Sequence, residues 1–164
     1  MKKLISICLI FIIWSCSLQK SVVPNQTISQ DEFLNQPFGF TESIQNFQQL
    51  NNPRFKTQKL LRKNKHYPEK TDTIYQFTYK KSQIFFYKTH FGKEFLLAGK
   101  VLNKQIKLKN DIHVGLSKED FIKRFSDNLN IQNDSIQMIG DGTKYTFIFN
   151  KEKLYRINID NYFD

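Results

Sequence analysis

The sequence predicts an α+β protein in which two short helices are each followed by an antiparallel β-meander, the two units forming a tandem repeat packed as one compact domain. Three observations predict it. Two segments share an apolar-Gly-apolar-hydroxyl start, Phe38-Gly39-Phe40-Thr41 and Val114-Gly115-Leu116-Ser117, and each runs into a helical pattern. Each helical pattern gives way to alternation of period two, broken by short turns. Composition supplies a core: of 164 residues 40% are hydrophobic, with sixteen Phe and seven Tyr. At 24% charged and with two Cys, the chain is neither a disordered polymer nor a disulfide-stapled miniature.

Taken in order, residues 1–15 read as an export signal. Lys2 and Lys3 form a positive start, and Leu4 to Trp14 is apolar apart from Ser6 and Cys8. Eleven helical residues span roughly 16 Å, about half a bilayer core, so this is a leader of signal-peptide length. Residues 16–30 are polar and aperiodic, with Pro24 among Asn, Gln, Ser and Thr, and are expected to be a flexible tether. Residues 31–110 form the first helix-plus-sheet unit and residues 111–164 the second.

In the first unit Thr41 is the expected N-cap, and Ile44, Phe47 and Leu50 share one helix face. The stretch from Phe55 to Leu61 fits a strand or a second short helix, and Asn64 to Lys70 is a basic loop. Thr73–Tyr79, Ser82–Thr89 and Glu94–Leu102 alternate as strands, with turns at Lys80-Lys81 and His90–Lys93, and Ile106 and Leu108 suggest a further short strand. In the second unit Ser117 caps a helix that carries Phe121, Ile122, Phe125 and Leu129, with Glu119 and Asp120 at the positive end of its dipole. Ser135–Ile139, Thr143–Phe149 and Lys153–Asp160 then alternate around turns at Gly140-Asp141-Gly142 and Asn150-Lys151. Consecutive strands on such short turns must be antiparallel.

Ile13-Trp14-Ser15-Cys16 resembles the bacterial lipobox, an aliphatic residue and two mostly small ones before an obligatory Cys, with Trp14 standing where a small residue is usual. The resemblance implies that the Cys16 thiol receives a diacylglycerol, that cleavage falls before it, and that the new amine is acylated with a palmitate-type chain. Several chains make such an anchor permanent, since each buried CH₂ adds ~0.8 kcal/mol. Two alternatives stay open: Ser15-Cys16-Ser17 as an ordinary signal-peptidase site releasing a soluble protein, and an uncleaved anchor. No acidic run follows Cys16 and position 17 is Ser, which resembles lipoproteins sorted to the outer membrane and facing the periplasm.

The Gly-hydroxyl helix start followed by a meander resembles the small lipoprotein of the outer-membrane β-barrel assembly machine and the β-lactamase-inhibitor-protein-like fold, itself a tandem of such units. Val114–Phe125 and the strands after it carry the better match, Phe38–Leu108 the weaker one. Ser126-Asp127-Asn128 stands where the barrel-machine lipoprotein has a Gly-Pro-type turn. The resemblance implies a binding or assembly role.

Chemistry-bearing residues are sparse. His66, His90 and His113 have no second His or Cys at ligand spacing, so no metal site is expected. Ser117 with His113 could pair as nucleophile and base, but capping accounts for Ser117 without catalysis. No Gly pattern for cradling phosphate is present, and no cofactor is expected. Asp72-Thr73-Ile74 and Asp134-Ser135-Ile136 resemble an exported-protein O-glycosylation motif, but the motif is common by chance and the preferred reading is of polar lead-ins to strands.

The net charge of +10 is the stronger feature. Lys56, Lys59, Arg62, Lys63 and Lys65 fall within ten residues. A candidate binding surface is Tyr79, Lys80, Lys81, Tyr87, Lys88, Phe91 and Lys93, where cations interleave with aromatics. In an exported chain such a surface meets anionic lipid or an acidic partner in place of nucleic acid; as a structural feature, the lysines would guard turns and sheet edges. The expectation is a non-enzymatic envelope lipoprotein, tethered to the outer membrane and binding a protein partner through a sheet face or edge. The alternative is an inhibitor or immunity protein directed at a hydrolase or toxin.

Overall fold

The computed structural model describes residues 26–50, 54–129 and 134–161. The leader, Cys16 and most of the expected tether lie outside them. The fold is a mixed α+β architecture: one antiparallel seven-stranded sheet with a few short helices. Among the described residues no helix is long and apolar enough to cross a membrane.

The helices are α1 (Gln30–Asn35), α2 (Ile44–Leu50) and α3 (Lys118–Ile122). None has the dozen or so residues a helix needs to persist alone, so each depends on its cap and on packing. The caps are serines. Ser29 Oγ accepts the Glu32 amide, Ser43 Oγ the Asn46 amide and Ser117 Oγ the Asp120 amide, each at 3.0 Å. Ser117 is the expected cap, but Ser43 takes the place expected of Thr41. The reason lies in Glu42, whose carboxylate bonds the Leu96 amide at 2.9 Å, so the chain turns into the helix only after it is anchored to the sheet. The first helix, α1, is an addition. Its buried Phe33 packs on the second half of the sheet, and Ile28, within the stretch expected to be tether, is buried and bridged to Phe125.

The strands are β1 (Lys56–Lys63), β2 (Thr71–Tyr79), β3 (Ser82–Lys88), β4 (Glu94–Val101), β5 (Ser135–Gly140), β6 (Thr143–Asn150) and β7 (Lys153–Asn161). Their order across the sheet is β1-β2-β3-β4-β7-β6-β5. The ambiguous stretch after α2 is thus an edge strand, exposed along its whole length. The two meanders join where β4 pairs β7, from Ala98 opposite Asp160 to Val101 opposite Ile157. Ile106 and Leu108 are buried but form no strand. Asn110 and Asp111 adopt left-handed backbone there, which turns the chain back on itself so that Leu108 bridges Ile112.

Alternation puts one sheet face against the helices. Phe47 of α2 meets Phe38, Phe55, Phe77 and Phe86 at ring separations of 5.1–5.2 Å. Phe121 of α3 meets Phe147 at 4.8 Å and Phe149 at 5.4 Å, while Phe33 meets Tyr145 at 5.2 Å. Phe33, Phe47 and Phe121 are all fully buried. On the other face, Ile74, Phe85, Tyr87 and Leu97 are half-buried, and among the described residues no helix covers them.

Two stability tests follow from this packing. Phe47→Ala removes the ring at the centre of four aromatic contacts and should cost about 3–5 kcal/mol in urea denaturation, with little change in slope. Lys151 and Glu152 form the β6–β7 turn, one residue later than expected, and both take positive φ, 47° and 59°. Asn-Gly suits that turn. The double substitution Lys151→Asn with Glu152→Gly should therefore stabilise the fold by about 1 kcal/mol, read in the same denaturation experiment.

Candidate functional site: a cationic aromatic groove beside Asp72

Asp72 lies near the start of β2, opposite Arg62 of β1, on the face the helices leave open. It is nonetheless fully buried, because two loops fold over it. Its Oδ2 accepts the Asn64 side-chain amide at 2.7 Å and the Tyr87 hydroxyl, and its Oδ1 accepts the His90 amide at 2.8 Å. The His90 ring Nδ1 stands 3.4 Å from the same oxygen. Asn64 in turn receives the His66 and Tyr67 amides on its Oδ1, both at 2.9 Å. One carboxylate thus fixes the β1–β2 loop through Asn64 and the β3–β4 loop through His90.

Burial alone would raise the Asp72 carboxyl. The bonds from Tyr87, the His90 amide, Asn64 and the His90 ring outweigh it and hold the group below the ordinary carboxylate range. Burial, and then the bond to and charge of Asp72, push the Tyr87 phenol upward, while Arg62 pulls it the other way. A carboxylate whose oxygens are taken up by donors acts as a structural anion; it has little left to offer as a proton acceptor.

Between the two loops lies a groove of about 540 Å³. Tyr87, Phe95 and Leu97 form its floor, with the Tyr87 and Phe95 rings stacked at 5.2 Å. Arg62, Lys65, His66 and Tyr67 line one side, and Thr89 and Phe91 the other. Tyr67 and Phe91 are 56% and 68% exposed, yet both rest edge-on against the His90 ring, at 5.9 and 4.9 Å. The aromatic rim is therefore anchored through His90 to Asp72.

The expected binding surface divides. Tyr87 and Phe91 enter the groove. Lys88 points to the other sheet face, where it pairs with Glu94 at 2.7 Å, and Glu94 also accepts the Ile44 amide at 2.9 Å. Lys93 lies in the β3–β4 loop, its amide bonded to Thr89 Oγ1. Tyr79, Lys80 and Lys81 sit at the far end of β3, about 20 Å away by strand rise, with the Lys80 ammonium 5.4 Å from the Tyr79 ring centre. Ser117 and His113 do not pair: Ser117 caps α3, and His113 Nδ1 lies 2.7 Å from the Asp111 carbonyl. Among the described residues no cluster of His, Cys, Asp and Glu is arranged to hold a metal. The sequence marks Asp72 only as a strand lead-in and Asn64 only as the start of a basic loop, and does not mark Phe95 or Leu97 as groove residues. The available signal was an acidic residue at the second position of an otherwise half-apolar strand.

Comparison with protein-family models, with curated proteins and with solved structures gives no match.

The carboxylate predicts a pH dependence. Its folded pKa lies below its unfolded value near 3.8, so its contribution is complete above that value and is lost as pH falls through the depressed folded pKa. Asp72→Asn should lower stability at pH 7 by about 1–3 kcal/mol, because the substituted amide cannot accept every donor that converges there. Denaturation midpoints measured from pH 7 to pH 2 should fall less steeply at the acid end for the variant than for the parent. Parallel curves would mean that the carboxylate is not the titrating group.

Proposed function

We propose that this chain is a non-enzymatic envelope lipoprotein. Cys16 carries the lipid, the membrane is the outer one with the folded body facing the periplasm, and the body binds a protein partner. The observation that carries the binding reading is the helix-free face of β2–β4. Ile74, Phe85, Tyr87 and Leu97 form a half-buried apolar strip there, with exposed Leu60 of β1 beside it. Apolar residues grouped on one face and flanked by cations suit a partner surface that is apolar at its centre and acidic at its rim. The donor-saturated state of Asp72 and the capping role of Ser117 support a binding role over catalysis.

The strand order supports a tandem origin. Read from the β4–β7 junction outward, each half is a meander, β4-β3-β2 on one side and β7-β6-β5 on the other. Gly39 and Gly115 both take positive φ before their helices, as equivalent starts of two units would. This arrangement keeps the resemblance to the barrel-machine lipoprotein and the inhibitor-like fold in play. An inhibitor or immunity role would use the same face, with a hydrolase or toxin as its occupant.

Two experiments test the two halves of the proposal. Cys16→Ala should move the protein from the membrane pellet to the soluble fraction or leave it unprocessed; a variant that pellets and is processed like the parent overturns the lipid anchor. A photo-crosslinking residue at Leu60 should give a discrete protein adduct in intact cells, and the same residue at Glu119, on α3 and on the opposite side of the sheet, should give none. Equal labelling from both positions, or none from either, would overturn the binding face.

A further inference from the structure

The geometry points to the groove beside Asp72 as a binding site for a small monoanion carried on a ring, of the class of a cyclic or aromatic carboxylate. This inference does not depend on the lipid anchor or on a protein partner. It starts from the size of the groove, about 540 Å³, which is in the range that holds a small molecule. The floor offers ring faces and a methyl-bearing side chain from Tyr87, Phe95 and Leu97, and the rim adds Tyr67 and Phe91. A ring lying between such groups buries its own apolar faces against them.

Charge selects the sign of the ligand. Arg62 and Lys65 line the groove, and among the described residues neither has a carboxylate partner within 4.0 Å. The facing carboxylate is Asp72, and its oxygens already receive Asn64, Tyr87 and the His90 amide, so it repels an incoming anion without competing for its hydrogen-bond donors. Two cations against one buried anion leave a surplus of one positive charge, which matches a monoanion. Arg62 supplies the planar fork that grips a carboxylate through two bonds. His66, also on the rim, adds hydrogen-bonding capacity.

The site is also built in advance. Asp72 holds both loops, and His90 holds both rim aromatics, so a ligand would meet a groove whose ordering cost has already been met by the fold.

The test uses the full-length protein and isothermal titration with four probes: 2-naphthoate, its neutral amide, glucuronate and inorganic phosphate. The expected result is saturable binding of 2-naphthoate or glucuronate, at least tenfold weaker in Arg62→Ala and in Phe91→Ala. Which acid wins identifies the ring as aromatic or saccharide. Lys56→Ala, on the same face of β1 at its far end, should bind like the parent. Both Arg62 and Phe91 are exposed, so their replacement should leave the denaturation midpoint in place. Binding of neither acid overturns the inference. So does binding of the neutral amide, or of phosphate, as tight as that of the acid that wins, or an equal loss in Lys56→Ala.

Discussion

Phe33, Phe47 and Phe121 each hold a helix of seven residues or fewer against the same face of one sheet. That arrangement is the constraint on which the remainder of the molecule depends. Helices this short contribute little through propensity, so the aromatic contacts decide where they sit. Because all three helices of the described residues go to one face, the sheet has a dry side and an open side, and strand alternation then assigns each residue to one or the other. Phe77, Phe86, Tyr145 and Phe147 go to the dry side. Ile74, Phe85, Tyr87 and Leu97 are left on the open one.

Where backbone hydrogen bonding falters, side chains complete it. A bulge opens in β4 opposite Phe85 and Phe86, and β4 pairs with β7 only from Ala98 onward. Leu96, fully buried, is left short of strand partners. Glu42 accepts its amide, and Asn161 donates to its carbonyl at 2.6 Å. Burial raises the Glu42 carboxyl above its ordinary value despite the bond from Leu96, the reverse of Asp72. The two carboxylates differ because Asp72 gathers several donors and Glu42 gathers one. Ionisation therefore suits Asp72 and opposes the half-buried position of Glu42 as pH rises above about 4.5.

The fold was legible in the sequence wherever a local pattern decided the outcome. The Gly-hydroxyl start gave Ser117 as a cap, and alternation placed β2 to β7 to within one or two residues. It failed where a distant partner decided. Thr41 and Ser43 are equally good caps locally, and only the reach of Glu42 to Leu96 selects Ser43. Ser29 followed by Asp31 and Glu32 is a fair helix start, but its six residues needed Tyr145 and Phe147 to become α1. At the groove, the interleaving of aromatics with lysines marks Tyr87 and Phe91, while Asp72 has the local pattern of a polar lead-in. Its burial depends on loops that begin eight residues before it and eighteen after it, a relation carried by no local period.

The same alternation decides what the basic run on β1 can do. Thr57, Lys59, Leu61 and Lys63 oppose Phe77, Tyr75, Thr73 and Thr71 and so lie toward the helix side, with the Lys59 ammonium 5.3 Å from the Tyr75 ring centre. Lys56, Gln58, Leu60 and Arg62 oppose Thr78, Gln76, Ile74 and Asp72 on the open side. A run of cations that looks continuous in sequence is therefore split between two faces. Lys59 and Lys63 serve the exposed edge, where charge discourages the addition of another strand. Arg62 alone among the β1 cations stands over the groove, opposite the one carboxylate buried beneath it. Adding lysines elsewhere on β1 would raise the net charge without strengthening the grip on an anion, because only position 62 combines the correct face with the correct end of the strand.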